Sequence, residues 1–165
     1  MCGVGFVISK DKDLINSFCE KINKLQFDRG PDNQEFKVYE NIGICHQRLG
    51  IIGLEQKFNQ PYLFKNNIIC FNGEIYNYKN LAEKYHLSKN ARLSDTACII
   101  ELIDLMGLEK TISLIDGMYS FGIYDTKKKK IKLCTDNFGI KQLYYYESED
   151  LIVITSTINA VKECL

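Results

Sequence analysis

A cysteine stands second in the chain, at the start of an apolar run that contains two glycines: Met1-Cys2-Gly3-Val4-Gly5-Phe6. If Met1 is removed, Cys2 carries both a thiol and a free α-amino group. Such an amine has a pKa of about 7.7–8.0, so part of it is neutral near neutral pH. A neutral amine beside a thiol can act as the base that generates the thiolate. The sequence therefore predicts a nucleophile at Cys2. The alternative is a small buried hydrophobe at the start of an edge strand.

Three charged residues occupy positions that plain strand or helix sequence does not explain. Arg48 lies between the apolar runs 42–45 and 49–52, and a guanidinium held in this way suits bidentate capture of a carboxylate. Glu74 and Asp95 lie where predicted helices begin, and each could accept a hydrogen bond from an ammonium group. The alternatives are an arginine that reaches solvent at a strand bend and two carboxylates that favour helix N-termini.

Asn72-Gly73 follows the apolar run 68–71. An Asn-Gly pair is a strong signal for a hairpin turn, which is the structural alternative at this position. Residues 74–77, however, lead into a helical pattern instead of back along a partner strand. A side-chain amide and a glycine N–H at the end of a strand are a suitable pair of donors for an oxyanion.

These residues together supply a thiol nucleophile, two oxyanion donors, a cation for a carboxylate, and one or two anions for an ammonium group. Such a set can attack the side chain of a free α-amino acid. Glutamine fits best, because its side-chain amide offers a carbonyl carbon to the thiolate. The residues therefore predict an enzyme that hydrolyses the glutamine amide and requires no cofactor.

The elements that must position these residues follow from hydrophobic periodicity and turn signals. Strands are predicted at both ends of the chain, over 4–9, 36–39, 42–47, 68–71, 118–124, 131–135, 143–146 and 151–155. Helices are predicted over 11–26, 77–85, 94–107, 108–115 and 156–165. Because strands flank two or three helices instead of alternating with them, the pattern indicates an α+β fold with layered sheets.

Composition excludes several classes of function. The 165 residues suit one globular domain, and 21 basic against 21 acidic residues leave no basic field for nucleic acid. Seven cysteines without CxxC spacing and only two histidines argue against a metal site and favour a reducing cytoplasm. No apolar run approaches the ~20 residues that span a membrane.

Eight motifs occur in an order and spacing that resemble one family, the class II glutamine amidotransferase domain of the asparagine synthetase type. They are Met1-Cys2-Gly3, Arg29-Gly30-Pro31-Asp32, His46-Gln47-Arg48-Leu49-Gly50-Ile51-Ile52, Asn59-Gln60-Pro61, Phe71-Asn72-Gly73-Glu74-Ile75-Tyr76-Asn77, Ser94-Asp95-Thr96, Asp116-Gly117-Met118 and Phe138-Gly139-Ile140-Lys141. The resemblance covers nearly the whole chain.

The resemblance implies an Ntn-hydrolase fold, a four-layer αββα sandwich of two antiparallel sheets, formed by a single domain over residues 1–165. It implies that Cys2 is the nucleophile after Met1 is removed, and that Asn72 and Gly73 form the oxyanion hole. The substrate glutamine would be bound by Arg48, by the backbone of Leu49, Gly50, Ile51 and Ile52, and by Glu74 and Asp95.

Family members usually continue into an ATP-using synthetase domain, and the resemblance ends where that domain would begin. The sequence therefore predicts a glutaminase that passes ammonia to a separate synthetase subunit. Two alternatives stay open. One is a non-catalytic glutamine-binding or regulatory module, and the other is the excised domain of an asparagine synthetase.

Overall fold

Two antiparallel sheets form the centre of the fold in the computed structural model, which describes residues 1–164. The first sheet has the strand order β2-β3-β1-β9-β8 and the second the order β4-β5-β6-β7. The strands are β1 (Gly3–Ser9), β2 (Asn33–Tyr39), β3 (Ile42–Arg48), β4 (Tyr62–Phe64), β5 (Asn67–Ile75), β6 (Gly117–Asp125), β7 (Lys130–Thr135), β8 (Tyr144–Glu147) and β9 (Leu151–Thr155).

Six α-helices within residues 1–164 form the layers outside the two sheets. They are α1 (Lys12–Leu25), α2 (Tyr78–Lys84), α3 (Lys89–Leu93), α4 (Asp95–Met106), α5 (Leu108–Ile112) and α6 (Ile158–Cys164). Helix α1 begins after Asp11, whose carboxylate accepts hydrogen bonds from the backbone N–H groups of Asp13 and Leu14. Its buried residues Ile15, Cys19 and Ile22 recur at helical spacing and pack on the first sheet.

Side chains point alternately to the two faces of each strand, and this alternation assigns them to three hydrophobic cores. Even-numbered residues such as Val4, Phe6 and Ile44 of the first sheet meet Ile68 and Cys70 of the second in the core between the sheets. Odd-numbered residues of the first sheet pack against α1 and α6, and those of the second pack against α2, α3 and α4. The predicted α+β sandwich, with two sheets between helical layers, is confirmed.

The element boundaries differ from the predicted ones in three places that matter below. Strand β5 continues through Asn72-Gly73 to Ile75, so the predicted strand end at residue 71 is wrong. The short strand β4 and helix α3 were not predicted. The predicted last helix and the predicted single domain both end at Leu165, which lies outside the described residues. Among the described residues, no helix has the length and apolar character needed to cross a membrane.

Candidate active site

Even-numbered strand residues point into the core between the sheets. At one end of this core the same alternation places polar residues that were predicted to belong to the site. Arg48 continues the even-numbered series of β3, and Asn72 continues the series of β5. Cys2, directly before β1, extends the series of Val4 and Phe6 by one step. Three side chains that are far apart in sequence thus meet where the sandwich opens.

A single cavity contains nine of the ten predicted site residues: Cys2, Arg48, Leu49, Ile51, Ile52, Asn72, Gly73, Glu74 and Asp95. The cavity volume is about 80 Å³, below the ~300–1,000 Å³ typical of sites for drug-sized ligands. Gly50 does not line the cavity, since its backbone N–H donates to Asp32 Oδ2 at 2.7 Å.

The Cys2 thiol lies against the residue that follows β3. Its sulfur accepts a hydrogen bond from Leu49 N–H at 3.4 Å and lies 3.6 Å from Leu49 O. The Cys2 carbonyl accepts a hydrogen bond from Arg29 Nε at 3.0 Å, which fixes the backbone behind the thiol. Burial raises the pKa of the Cys2 thiol, although Leu49 N–H, the amino terminus and Arg48 each lower it. The thiol therefore needs an adjacent base to become a nucleophile.

The Arg48 guanidinium is buried, with 8% of the residue exposed, and its hydrogen bonds to residues 1–164 are all with uncharged oxygens. Nη1 donates to Asn59 Oδ1 at 2.5 Å, and Nη2 donates to the carbonyls of Ile52, at 3.4 Å, and Gly53. No carboxylate pairs with this guanidinium among residues 1–164. A buried cation without a counter-ion is costly, so the site favours an anionic ligand.

Asp95 presents the opposite charge at the first residue of α4. It is 5% exposed, and its carboxylate accepts from Thr96 N–H at 2.8 Å and Ile75 N–H at 3.3 Å. Burial raises the pKa of Asp95 to about 6, and the nearby charge of Glu74 adds to the rise. No lysine or arginine pairs with Asp95 in the part of the chain that the structure describes. The carboxylate is therefore suited to an ammonium ligand.

Strand β5 presents a row of backbone N–H groups on the edge that faces α4. Phe71 N–H donates to Gln60 Oε1 at 2.7 Å, and Ile75 N–H donates to Asp95. Because N–H groups alternate in direction along a strand, Gly73 N–H lies on the same edge, between these two bonds and beside the cavity. A Cβ at residue 73 would lie 2.2 Å from Met118 O, so only glycine fits where β5 pairs with β6.

Asn72 adds a second donor at this point. The residue is 2% exposed, and Nδ2 has no hydrogen-bond partner among the described residues. Buried side-chain amides are nearly always satisfied, so this one is available to a ligand in the cavity that it lines. A side-chain N–H and a backbone N–H from consecutive residues can together stabilise a negative oxygen.

Eight further residues line the cavity and were not predicted as site residues: Met1, Phe58, Gln60, Phe71, Ser94, Thr96, Met118 and Lys141. Gln60 and Lys141 lie in sequence motifs, but no chemical role follows from a turn-like Asn59-Gln60-Pro61 or from a lysine in a loop. Lys141 is buried, and its ammonium group lies 2.7 Å from the Met1 sulfur. No group of three metal-ligating side chains occurs among the described residues.

Comparison with protein families gives a match to the glutamine amidotransferase domain over residues 1–165. The chain is 33% identical over 186 residues to a putative asparagine synthetase [glutamine-hydrolyzing] 2 of Methanocaldococcus jannaschii, covering 99% of this chain and 36% of that protein. It is 35% identical over 170 residues to asparagine synthetase [glutamine-hydrolyzing] 2 of Bacillus subtilis, covering 98% of this chain and 22% of that protein. The chain thus spans roughly a fifth to a third of these relatives.

Solved structures with the same fold include the glutamine phosphoribosylpyrophosphate amidotransferase of B. subtilis in complex with ADP and GMP. The TM-score is 0.79 at 20% sequence identity, over 99% of this chain and 43% of that chain. An allosteric regulatory enzyme of purine biosynthesis gives a TM-score of 0.74 at 19% identity over the same shares. At these identities the likeness concerns the fold.

Proposed function

The chain belongs to the glutamine amidotransferase domain family, and from this premise we propose that it hydrolyses L-glutamine to glutamate and ammonia through a thioester at Cys2. The proposal requires removal of Met1, so that the α-amino group of Cys2 becomes free. The reaction requires a thiol nucleophile, an amine as base, two hydrogen-bond donors to the oxyanion, and one positive and one negative group that bind the substrate.

One observation carries the proposal: a buried cation and a buried anion, neither paired by the described protein, line the same cavity as the thiol. Arg48 and Asp95 are 8% and 5% exposed, and both lack a charged partner among residues 1–164. A free α-amino acid is a zwitterion that neutralises both charges at once. Its carboxylate would bind Arg48 and its ammonium group would bind Asp95, with Glu74 as a further anion in the same cavity.

The reaction balances with these residues and water. The neutral Cys2 amine takes the thiol proton, and the thiolate forms a bond to the glutamine side-chain carbonyl carbon. The carbonyl oxygen becomes an oxyanion that accepts hydrogen bonds from Asn72 Nδ2 and Gly73 N–H. Collapse breaks the carbon–nitrogen bond, and the Cys2 ammonium protonates the leaving nitrogen, which releases ammonia. Water then attacks the thioester with the amine as base, which frees glutamate and restores the thiol.

Two backbone features support the binding step. The loop after β3 brings Leu49, Ile51 and Ile52 to the cavity, while Gly50 is turned to Asp32. We propose that Leu49, Ile51 and Ile52 bind glutamine through main-chain groups, and that Gly50 contributes only to the shape of the loop.

We further propose that the ammonia is passed to a synthetase. The relatives are named asparagine synthetases and are several times longer than this chain, which supports an ammonia-using partner in this case too. All seven cysteines are free, and five are buried, which supports action in a reducing compartment such as the cytoplasm.

The test is glutamine turnover by chain that begins at Cys2, prepared with a cleavable leader. We expect one glutamate and one ammonia for each glutamine consumed, and a single covalent adduct when the enzyme is treated with a diazo-ketone glutamine analogue. Cys2→Ala should abolish both. Cys134→Ala is the matched control, because Cys134 is the other partly exposed thiol and lies outside the cavity. Glutamine binding without turnover or adduct would instead indicate a binding module.

A further inference from the structure

Strand β5 loses its neighbour on one side just before the proposed oxyanion donors. Strand β4 pairs only with Asn67, Ile68 and Ile69, and Phe71 is the next residue whose N–H and C=O point to that edge. Both groups are nevertheless bonded, and in each case the partner is a buried side chain. Gln60 Oε1 accepts from Phe71 N–H at 2.7 Å, and His46 Nε2 donates to Phe71 O at 3.2 Å.

The same Gln60 amide also reaches the helix that carries Asp95. Gln60 Nε2 donates to Thr96 Oγ1 at 3.3 Å, and Thr96 directly follows Asp95 in α4. Gln60 is 5% exposed and Thr96 is 4% exposed, so water does not readily replace either bond. One side chain therefore connects the strand of the oxyanion donors to the helix of the ammonium-binding carboxylate.

We propose that Gln60 is a positioning residue for the reaction: by accepting from Phe71 N–H it holds β5 at the Cys70–Phe71 peptide, so that Asn72 and Gly73 point at the developing oxyanion. This inference rests on the proposed glutaminase function. Gln60 replaces the missing β4 neighbour by a side-chain hydrogen bond to Phe71 N–H, one residue before Asn72 and two before Gly73.

The physical argument concerns the cost of losing this bond. An unsatisfied buried N–H is strongly unfavourable, so β5 would shift until Phe71 N–H found another acceptor. Oxyanion donors must lie within a few tenths of an ångström of their best position to be effective. A displacement near 1 Å can cost about 10²-fold in rate. The glutamine α-groups bind to Arg48 and Asp95, so affinity in the ground state should change far less.

The experiment compares Gln60→Met, which keeps the side-chain length and removes both bonds, with wild type, each starting at Cys2. We expect kcat to fall by about 10- to 100-fold. The Kd for glutamine, measured by calorimetry in the Cys2→Ala background, should stay within about threefold. Thr96→Val should lower kcat to a smaller extent, and Thr96→Ser, which keeps the hydroxyl, should restore it.

Asn77→Leu is the matched control for a merely structural role. Asn77 also joins two backbone segments through one amide, donating to Leu114 O at 2.9 Å and accepting from Asp116 N–H at 3.0 Å, but it does not line the cavity. It should lower the unfolding midpoint without changing kcat.

Unchanged kcat in Gln60→Met, or a loss of kcat that Asn77→Leu reproduces at equal destabilisation, would overturn the inference. Lack of turnover by wild type would instead reject the proposed function. If Gln60→Met does not fold, the two Thr96 variants decide.

Discussion

At the scale of single residues, the site is defined by polar groups that the described protein leaves unsatisfied. Among residues 1–164, Asn72 Nδ2 has no hydrogen-bond partner, Arg48 donates only to uncharged oxygens, and Asp95 accepts only from backbone N–H groups. Each of these states is unfavourable in a buried environment. Their coincidence in one cavity is explained by a ligand that offers a carboxylate, an ammonium group and a polarisable carbonyl.

The substitution Asn72→Asp distinguishes between two roles of Asn72, a donor to the oxyanion and a residue that only shapes the backbone. The carboxylate removes the N–H donor and adds a negative charge where another develops. Loss of one such donor costs about 2.7–4 kcal/mol, or roughly 10²–10³ in kcat, and repulsion should deepen the loss. The effect should fall on kcat more than on KM, because the charge appears in the transition state.

The matched control is Asn67→Asp, the same change at the other end of β5 and outside the cavity. It should leave kcat unchanged. A folded Asn72→Asp enzyme with near-normal kcat would mean that Asn72 is not an oxyanion donor.

Asp95 predicts a pH dependence of glutamine binding. Its pKa, raised by burial to about 6, means that the carboxylate is charged at pH 7 and becomes protonated below about pH 6. A protonated Asp95 cannot pair with the substrate ammonium, so the Kd for glutamine should rise about tenfold per pH unit below that value. Calorimetry in the Cys2→Ala background removes the proposed nucleophilic thiol, so its titration cannot contribute to the measured Kd. Asp95→Asn should bind weakly and without this pH dependence; a flat Kd in the parent would contradict the assignment.

At the scale of elements, the loop after β7 is organised by one buried carboxylate. Asp136 accepts hydrogen bonds from the N–H groups of Tyr119, Phe138, Ile140 and Lys141 at 3.0–3.2 Å. Burial alone would raise the pKa of Asp136, but these donors outweigh it and lower the pKa. The loop delivers Lys141 to the cavity while Phe138, with 90% exposure, points away from the protein.

Asp136→Ala should therefore destabilise the fold by about 2–4 kcal/mol, since it leaves several N–H groups without an acceptor. Phe138→Ser in the same loop should change stability by less than about 0.5 kcal/mol, because the ring is exposed. Urea unfolding at pH 7 measures both. Because the folded pKa is depressed, the stabilising effect of Asp136 exists above its unfolded value of about 3.9 and is lost as pH falls through the folded value. Equal stability of the two variants would mean that the carboxylate does not organise the loop.

At the scale of the whole molecule, the layered fold could be predicted because alternating strands and amphipathic helices specify the faces that must be buried. The hairpin turn, which was the structural alternative at Asn72-Gly73, does not form, because β5 pairs with β6 over nine residues from Asn67 to Ile75 and this pairing keeps the chain extended. Local propensity of a dipeptide is weaker than a complete ladder.

Gln60 and Lys141, two cavity residues that were not predicted, were overlooked for a related reason. Gln60 acts through a hydrogen bond to a strand that follows it in sequence, and Lys141 reaches the cavity only because the Asp136 loop folds back. Neither contact has a period or a motif chemistry that a sequence displays. Gly50 lies inside a predicted binding segment, but the backbone turns its N–H to Asp32.

The amino terminus lies at the open end of the sandwich, so its processing should decide whether the fold becomes an enzyme. Met1 lines the cavity, and its sulfur contacts the Lys141 ammonium group; it also lines a second cavity together with Arg29 and Tyr144.

A chain that retains Met1, or carries one further residue before Cys2, should fold with an unchanged unfolding midpoint but turn over no glutamine. The reason is that Cys2 then has an amide nitrogen, which has no basicity to offer the thiol, and burial keeps the pKa of that thiol raised. Removing the extension with a protease that leaves Cys2 first should restore activity in the same sample, with mass spectrometry reporting the terminus. An extended chain that stays uncleaved by mass and still turns over glutamine at the normal rate would show that a group other than the Cys2 amine is the base.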